Sequence, residues 1–253
     1  MVTADPVTLY RAPSTVADVD AVAEWLADRI DGSVRVCDRF LGAHEDDENL
    51  ARAFAGARVL SPYERETGNE MLGIRRYEER ALSDPDRAGG VIYDGLQVQD
   101  ALRERLPPDR EGLHAIVLDR VIGTWGAHDG RWHKRANVLG RPAVLSVPGL
   151  YEAPAKPESY YKAKQRHALV AGDAPPREVL ENEVEGEFLV ADDPRTTEAL
   201  KGYALQAVDY LATGGPFCDR EGCRLYNAHR QPELVEAQLR DPEFCPDHAE
   251  RYG

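Results

Sequence analysis

Apolar residues along the chain change period, and the changes mark out its elements. Residues 7–10 (Val-Thr-Leu-Tyr) read as a short strand. Over 16–30, Val19, Val22, Ala23, Leu26 and Ile30 share one helical stripe, with Ser14 placed to cap it. Residues 33–40 alternate again, so the chain opens with a predicted β-α-β unit, and an amphipathic helix follows over 44–57. Cys37 falls in this alternation as a packed core cysteine. The stretch 61–106 is charged and interrupted by Gly68, Gly73 and Gly89-Gly90, which predicts short helices. Residues 113–125 are rich in Ile, Val and Leu, 132–139 mix polar and apolar positions, and Asp129-Gly130 between them is a hairpin signal. Residues 142–147 add a strand stopped by Pro148-Gly149, so 113–147 should form adjacent antiparallel strands. The proline-bearing segment 152–157 reads as an extended linker, 159–169 as helix, 173–176 as loop, and 177–189 is ambiguous. A helix over 196–211 should pack on the sheet through Leu200, Ala204, Ala207 and Leu211, and Gly214-Gly215-Pro216 stops it. The expected class is α+β, a single domain over 1–253 with a mixed sheet packed by helices.

Composition narrows the functions available. With 253 residues and 42% hydrophobic content the chain can bury a large core, and it has no apolar run long enough for a membrane span. The formal net charge of -14, from 45 acidic and 31 basic residues, disfavours nucleic acid as a partner. Lysine is scarce (Lys134, Lys156, Lys162, Lys164 and Lys201), a balance that fits a halophilic archaeon, or equally an ordinary acidic protein from a GC-rich genome. One patch opposes the global charge: Lys156, Lys162, Lys164, Arg166 and His167 around Tyr160 and Tyr161. It could grip an acidic segment, a phosphate or single-stranded nucleic acid, but a solvated helix face is the better reading. No phosphate-cradling glycine motif occurs, and nothing in the first residues reads as a signal peptide, so a cytoplasmic, reducing setting is expected.

In that setting the cysteines near the C-terminus carry the chemistry. Cys218-x4-Cys223 and Cys245-x2-His248 are two short ligand pairs separated by residues 231–239, which have the apolar spacing of a short helix. Gly222 lets the first pair fold back and Pro246 stiffens the second. A Cys3His set fills a tetrahedral Zn²⁺ shell, so we expect one structural zinc per chain in a subregion over 214–253, in preference to the alternatives of inert buried thiols or a disulfide, with His229 as an additional nearby donor. The other imidazoles, His114, His128 beside Asp129, His133 and His167, show no i, i+4 pair with a glutamate between.

The segment 200–248 resembles the C-terminal end of the archaemetzincins, zinc peptidases with the signature His-Glu-x2-His-x2-Gly-x3-Cys-x4-Cys-x-Met and a later Cys-x2-Cys. Gly214, Cys218, Cys223 and Cys245 match that pattern, His248 replaces the last cysteine, and Leu225 stands at the Met. The resemblance implies a metzincin-like sheet and helix arrangement with a C-terminal zinc knot. In the catalytic half, Ala207-Val-Asp-Tyr-Leu211 falls where the family has His-Glu-x2-His, and Phe217 where it has its third ligand. The expectation is therefore a catalytically inactive homologue of this group of peptidase-like proteins, binding a peptide or protein in an inherited cleft. The alternative is an active hydrolase with replacement metal ligands, which a second, chelator-labile ion would favour.

Overall fold

The computed structural model describes residues 2–3, 6–38, 40–41, 47–68, 71–84, 89–106 and 112–253. The chain begins with β1 (Val2–Thr3), β2 (Val7–Tyr10), α1 (Val19–Ala27), β3 (Ile30–Asp31) and β4 (Val34–Cys37). Here β1 pairs in parallel with β3, and β2 in parallel with β4, as the opening β-α-β pattern requires. The cap of α1 is Asp18, whose carboxylate accepts the Ala21 N–H at 3.1 Å; Ser14 instead donates to Asp119 at 2.9 Å. Helices α2 (Asp47–Ala57) and α3 (Leu72–Ser83) follow, and the expected helical residues 44–46 lie outside the described residues. Next come β5 (Ile92–Asp94), which sequence patterning did not reveal, and α4 (Gly95–Arg103), capped by Asp94.

The following strands, β6 (Leu113–Leu118), β7 (Val121–Gly126), β8 (Arg131–Arg135), β9 (Asn137–Val138) and β10 (Ala143–Ser146), correct one expectation. They are not one antiparallel series. The central sheet has the order β4-β2-β6-β10-β9, with β6 parallel to both β2 and β10 and only β9 antiparallel; a second sheet has the order β5-β7-β8. The 113–125 run is thus two strands in two sheets, split at Asp119-Arg120. Arg120 explains the break: it is buried, its guanidinium 3.0 Å from the buried Glu78 carboxylate and 2.9 Å from the Tyr93 hydroxyl, while its carbonyl accepts from Ser146 Oγ at 2.7 Å. The expected hairpin does form, with β7 and β8 antiparallel from Ile122↔Arg135 to Gly126↔Arg131.

Six consecutive buried residues in β6 are the mark of a strand covered on both faces. Val7, Leu9, Leu113, Ala115, Val117 and Leu145 face one core with α1 and the later helices, whereas Tyr10, Ile116, Leu118 and Val144 face the other with α2 and α4. Pro148 does not end β10 in a loop; it lies in the first turn of α5 (Val147–Glu152), which shortens the expected linker. Then come α6 (Glu158–Ala171), α7 (Arg177–Glu183), α8 (Thr196–Thr213), α9 (Gln231–Leu239) and α10 (Pro246–Tyr252). Helix α8 packs on β6 and β10 and also against α1 and α9, so Leu200, Ala204 and Ala207 are buried and Leu211 half-buried. A helix enclosed in this way buries most of its length, the polar Gln206 and Asp209 included. No described helix is long and apolar enough to cross a membrane.

Gly112, at φ +84°, brings the chain into β6 with its N-terminal neighbour close by, since an added Cβ would lie 2.0 Å from the Pro6 carbonyl oxygen. Gly112→Ala is expected to destabilise the protein by about 1–3 kcal/mol through this backbone clash; urea unfolding of the variant measures it.

Candidate metal centre

Local chain geometry builds each half of the Cys/His set. Helix α8 stops at Gly214, whose φ of +76° lets its N–H return to the Tyr210 carbonyl at 2.9 Å. Beyond it the Cys218 N–H donates to the Leu225 carbonyl at 2.8 Å and the Cys223 N–H to the Arg220 carbonyl at 3.2 Å, with Gly222 at φ +77° inside the turn. The Arg220 N–H points at Cys218 Sγ, 3.4 Å away. In the second half Cys245 is the N-cap of α10, and its carbonyl accepts the N–H groups of His248 at 3.1 Å and Ala249 at 2.8 Å. One helical turn thereby sets the imidazole beside the thiol.

All four ligand atoms lie within 4.8 Å of one another. Cys218 Sγ is 3.9 Å from Cys245 Sγ, and His248 Nδ1 is 3.2 Å from Cys245 Sγ and 3.5 Å from Cys223 Sγ. Cys223 is buried; the other three are half-buried. Burial pushes the Cys223 thiol up to about 12 and raises Cys218. For Cys245 burial acts the same way, but hydrogen bonds from the His248 backbone and the neighbouring thiols outweigh it and lower the value. Desolvation lowers His248 too, favouring the neutral imidazole that binds metals. Three crowded sulfurs cannot all be thiolates unless a cation compensates them.

The halves are joined by Arg224, a residue that sequence patterning overlooked. It is 2% exposed, and its N–H donates to the Glu243 carbonyl at 3.0 Å, linking the residue after Cys223 to the segment before Cys245. Its guanidinium binds the Glu243 carboxylate at 3.0 Å, the Glu198 carboxylate and the Glu198 carbonyl, and lies over Trp25. The Arg224 carbonyl in turn accepts from the buried Gln238 of α9 at 3.0 Å. A second anchor is Asp209 on α8, which accepts from Tyr252 Oη at 2.5 Å and from Arg251 at 3.2 Å and so fastens α10 to the central helix. Only the arginine and acid content of this region hints at these contacts; their pairing depends on tertiary approach.

The remaining candidates separate. His229 is exposed: its N–H donates to Glu233 at 2.8 Å, its carbonyl accepts from Ala155, and it does not join the four converging ligands. His114 is buried with the Tyr10 hydroxyl 3.0 Å from Nδ1, and His167 pairs with Glu183 at 2.6 Å. His128, Asp129 and His133 do converge, at the β7–β8 turn. Most of the basic and aromatic patch is paired: Lys156 is buried against Glu181 at 2.8 Å, Lys162 meets Glu158 at 2.8 Å, and Arg166 meets Glu183, while Lys164 is exposed. Between β8 and the metal loop lies a cavity of about 700 Å³, lined by Arg131, Lys134, Arg135, Tyr203, Phe217 and His229 among others.

Cys218→Ser or Cys245→Ser is expected to abolish tight zinc retention and lower Tm by about 6 °C or more, the shift that a loss of about 3 kcal/mol gives in a chain of this size. Metal analysis and thermal melts measure both effects. Desolvation alone would raise the Glu198 carboxyl, but hydrogen bonds from Lys201 and Arg224 hold it below the usual range. A depressed folded value means that the stabilisation is complete above the ordinary glutamate pKa and is lost as pH falls through the folded one. Glu198→Gln should therefore lower the neutral plateau and flatten the acid limb of the stability curve, read by denaturant unfolding across pH.

No curated protein matches the chain. Among solved structures it is similar to a zinc-dependent peptidase from Methanocorpusculum labreanum (strain Z), at 12% identity and a TM-score of 0.48, over 97% of this chain and 98% of that one. It is also similar to archaemetzincin from Methanopyrus kandleri, at 14% identity and a TM-score of 0.44, over 97% of this chain and 91% of that one. A family model matches residues 8–251, and the chain belongs to that family, described as a family of unknown function (DUF7001).

Proposed function

We propose that the protein is a zinc-stabilised peptide-binding module without peptidase activity. The convergence of Cys218, Cys223, Cys245 and His248 within 4.8 Å carries this reading. Four protein ligands complete a tetrahedral shell and leave no position for a reactive water, which is the arrangement of a structural Zn²⁺. One ion per chain would supply the charge that lets the crowded thiols ionise, and would hold α10 to the loop after α8.

The binding role rests on the cavity beside β8. That strand is the outer member of its sheet among the described residues; the Pro62 carbonyl takes its Trp132 N–H at 2.9 Å, and the remaining part of the edge can pair with an extended peptide. Arg131, Lys134 and Arg135 give the cavity a cationic wall on a chain of net charge -14, which suits an acidic segment of a partner. Glu152 is the sole carboxylate among its described lining residues, and Lys134 at 2.5 Å and Arg177 at 2.8 Å already engage it. Peptide hydrolysis at zinc needs an open metal position and a free carboxylate base. Ala207 and Val208, which the archaemetzincin resemblance sets at ligand and base, lie instead in the apolar core. We also read the composition as that of a halophilic archaeal, cytoplasmic protein, whose reducing surroundings keep the thiols available for zinc.

Purified protein is expected to retain tightly bound zinc and to leave acidic, basic and neutral test peptides intact at every zinc concentration. Proteolysis abolished by chelation and restored by metal would favour instead the hydrolase with replacement ligands. Added KCl in the molar range should raise Tm by screening the self-repulsion of the acidic surface; a Tm insensitive to salt would remove the halophilic reading.

A further inference from the structure

At the β7–β8 turn, 127–130, the two imidazoles of His128 and His133 meet Asp129. His133 Nε2 is 2.9 Å from the Asp129 carboxylate, and His128 Nε2 is 3.7 Å from it. The two rings are stacked, with centroids 5.9 Å apart and planes at 11°. One ligand atom from each residue lies within 4.8 Å of the other two. The register of the hairpin produces this: Asp129 and His133 are four residues apart, and Thr124 opposite His133 leaves Gly126 as the next residue on the same face of β7.

Gly126 is an independent sign that room is kept for these atoms. A Cβ there would lie 2.5 Å from Asp129 Oδ1 and 2.7 Å from His133 Nε2, so the absent side chain is what allows the donors to gather over the strand. Arg131 holds the other oxygen of Asp129 at 2.7 Å, which orients the carboxylate as outer-sphere partners do in metal sites.

We propose that His128, Asp129 and His133 form a second site, one that binds a first-row divalent cation such as Zn²⁺ or Co²⁺ reversibly. Two imidazoles and a carboxylate suit such an ion and leave positions open to water or to an oxygen ligand. His133 also lines the 700 Å³ cavity, so the ion sits at its rim, where it can take a carboxylate of the cavity's occupant. Asp129 is itself a ligand and Glu152, the one carboxylate among the cavity's described lining residues, is engaged by Lys134 and Arg177, so no free carboxylate base is at hand; peptide cleavage by the doubly loaded protein, and not the second ion alone, would favour the hydrolase. The site is exposed and built from one hairpin, so its ion should exchange readily while the Cys/His ion is retained.

The test is Co²⁺ and Zn²⁺ titration calorimetry on protein from which a mild chelator has removed labile metal but not the tightly held zinc. The wild type should take up one further ion per chain. His128→Ala with His133→Ala should weaken that uptake about tenfold or more. Gly126→Ala, which keeps all three ligands, should weaken it too. In each variant the retained zinc should stay as in the wild type, and a cooperative melting transition should show that the protein remains folded. Wild-type binding no tighter than that of the double variant overturns the proposal. Loss of the retained zinc in Cys218→Ser with uptake at the turn unchanged separates this site from the structural one.

Discussion

Three sulfurs and one imidazole brought within 4.8 Å of each other impose the constraint on which the C-terminal part of the fold depends. Buried thiols resist ionisation, and the raised values at Cys218 and Cys223 express that resistance. A bound cation would remove it, and its binding energy would then become folding energy for these short segments. Helix α10 spans only Pro246–Tyr252, too short to be stable alone, yet with its N-cap Cys245 it brings in two of the four candidate ligands and the Tyr252 hydroxyl that reaches Asp209.

Around that centre the protein spends its buried charge. Arg224 is desolvated between Glu198 and Glu243, and Arg29 approaches Glu243 at 2.8 Å, so the residue just beyond α1, helix α8 and the Cys/His segment share one ionic network. A network of this kind adds little net stability compared with an apolar core, but losing one partner leaves a buried charge uncompensated. It therefore fixes where the loop sits. The pairing of Arg120 with Glu78 acts likewise on the opposite core, turning the chain from β6 in one sheet to β7 in the other.

These two arginines also mark the limit of what the sequence discloses. Periodicity located β2, β4, α8 and α9, because each buries a face whose spacing is local. The Cys3His cluster was legible because its two short Cys and His spacings are local and suit a metal ion whatever the fold around them. The partition of 113–125 between two sheets was hidden: a continuous apolar run looks the same whether its neighbours are parallel or antiparallel, and the signal, Asp119-Arg120, reads as a solvated turn. The gathering of His128, Asp129 and His133 was partly visible as a hairpin tip, but the role of Gly126 appears only once Arg131 is seen opposite it.

Zinc K-edge X-ray absorption on chelator-washed protein addresses the central claim most directly, because it reads the shell of the retained ion itself. Three sulfurs at about 2.3 Å and one nitrogen at about 2.0 Å are expected. A shell dominated by nitrogen and oxygen, or one containing a water in place of a thiolate, would contradict a closed structural site at Cys218, Cys223, Cys245 and His248.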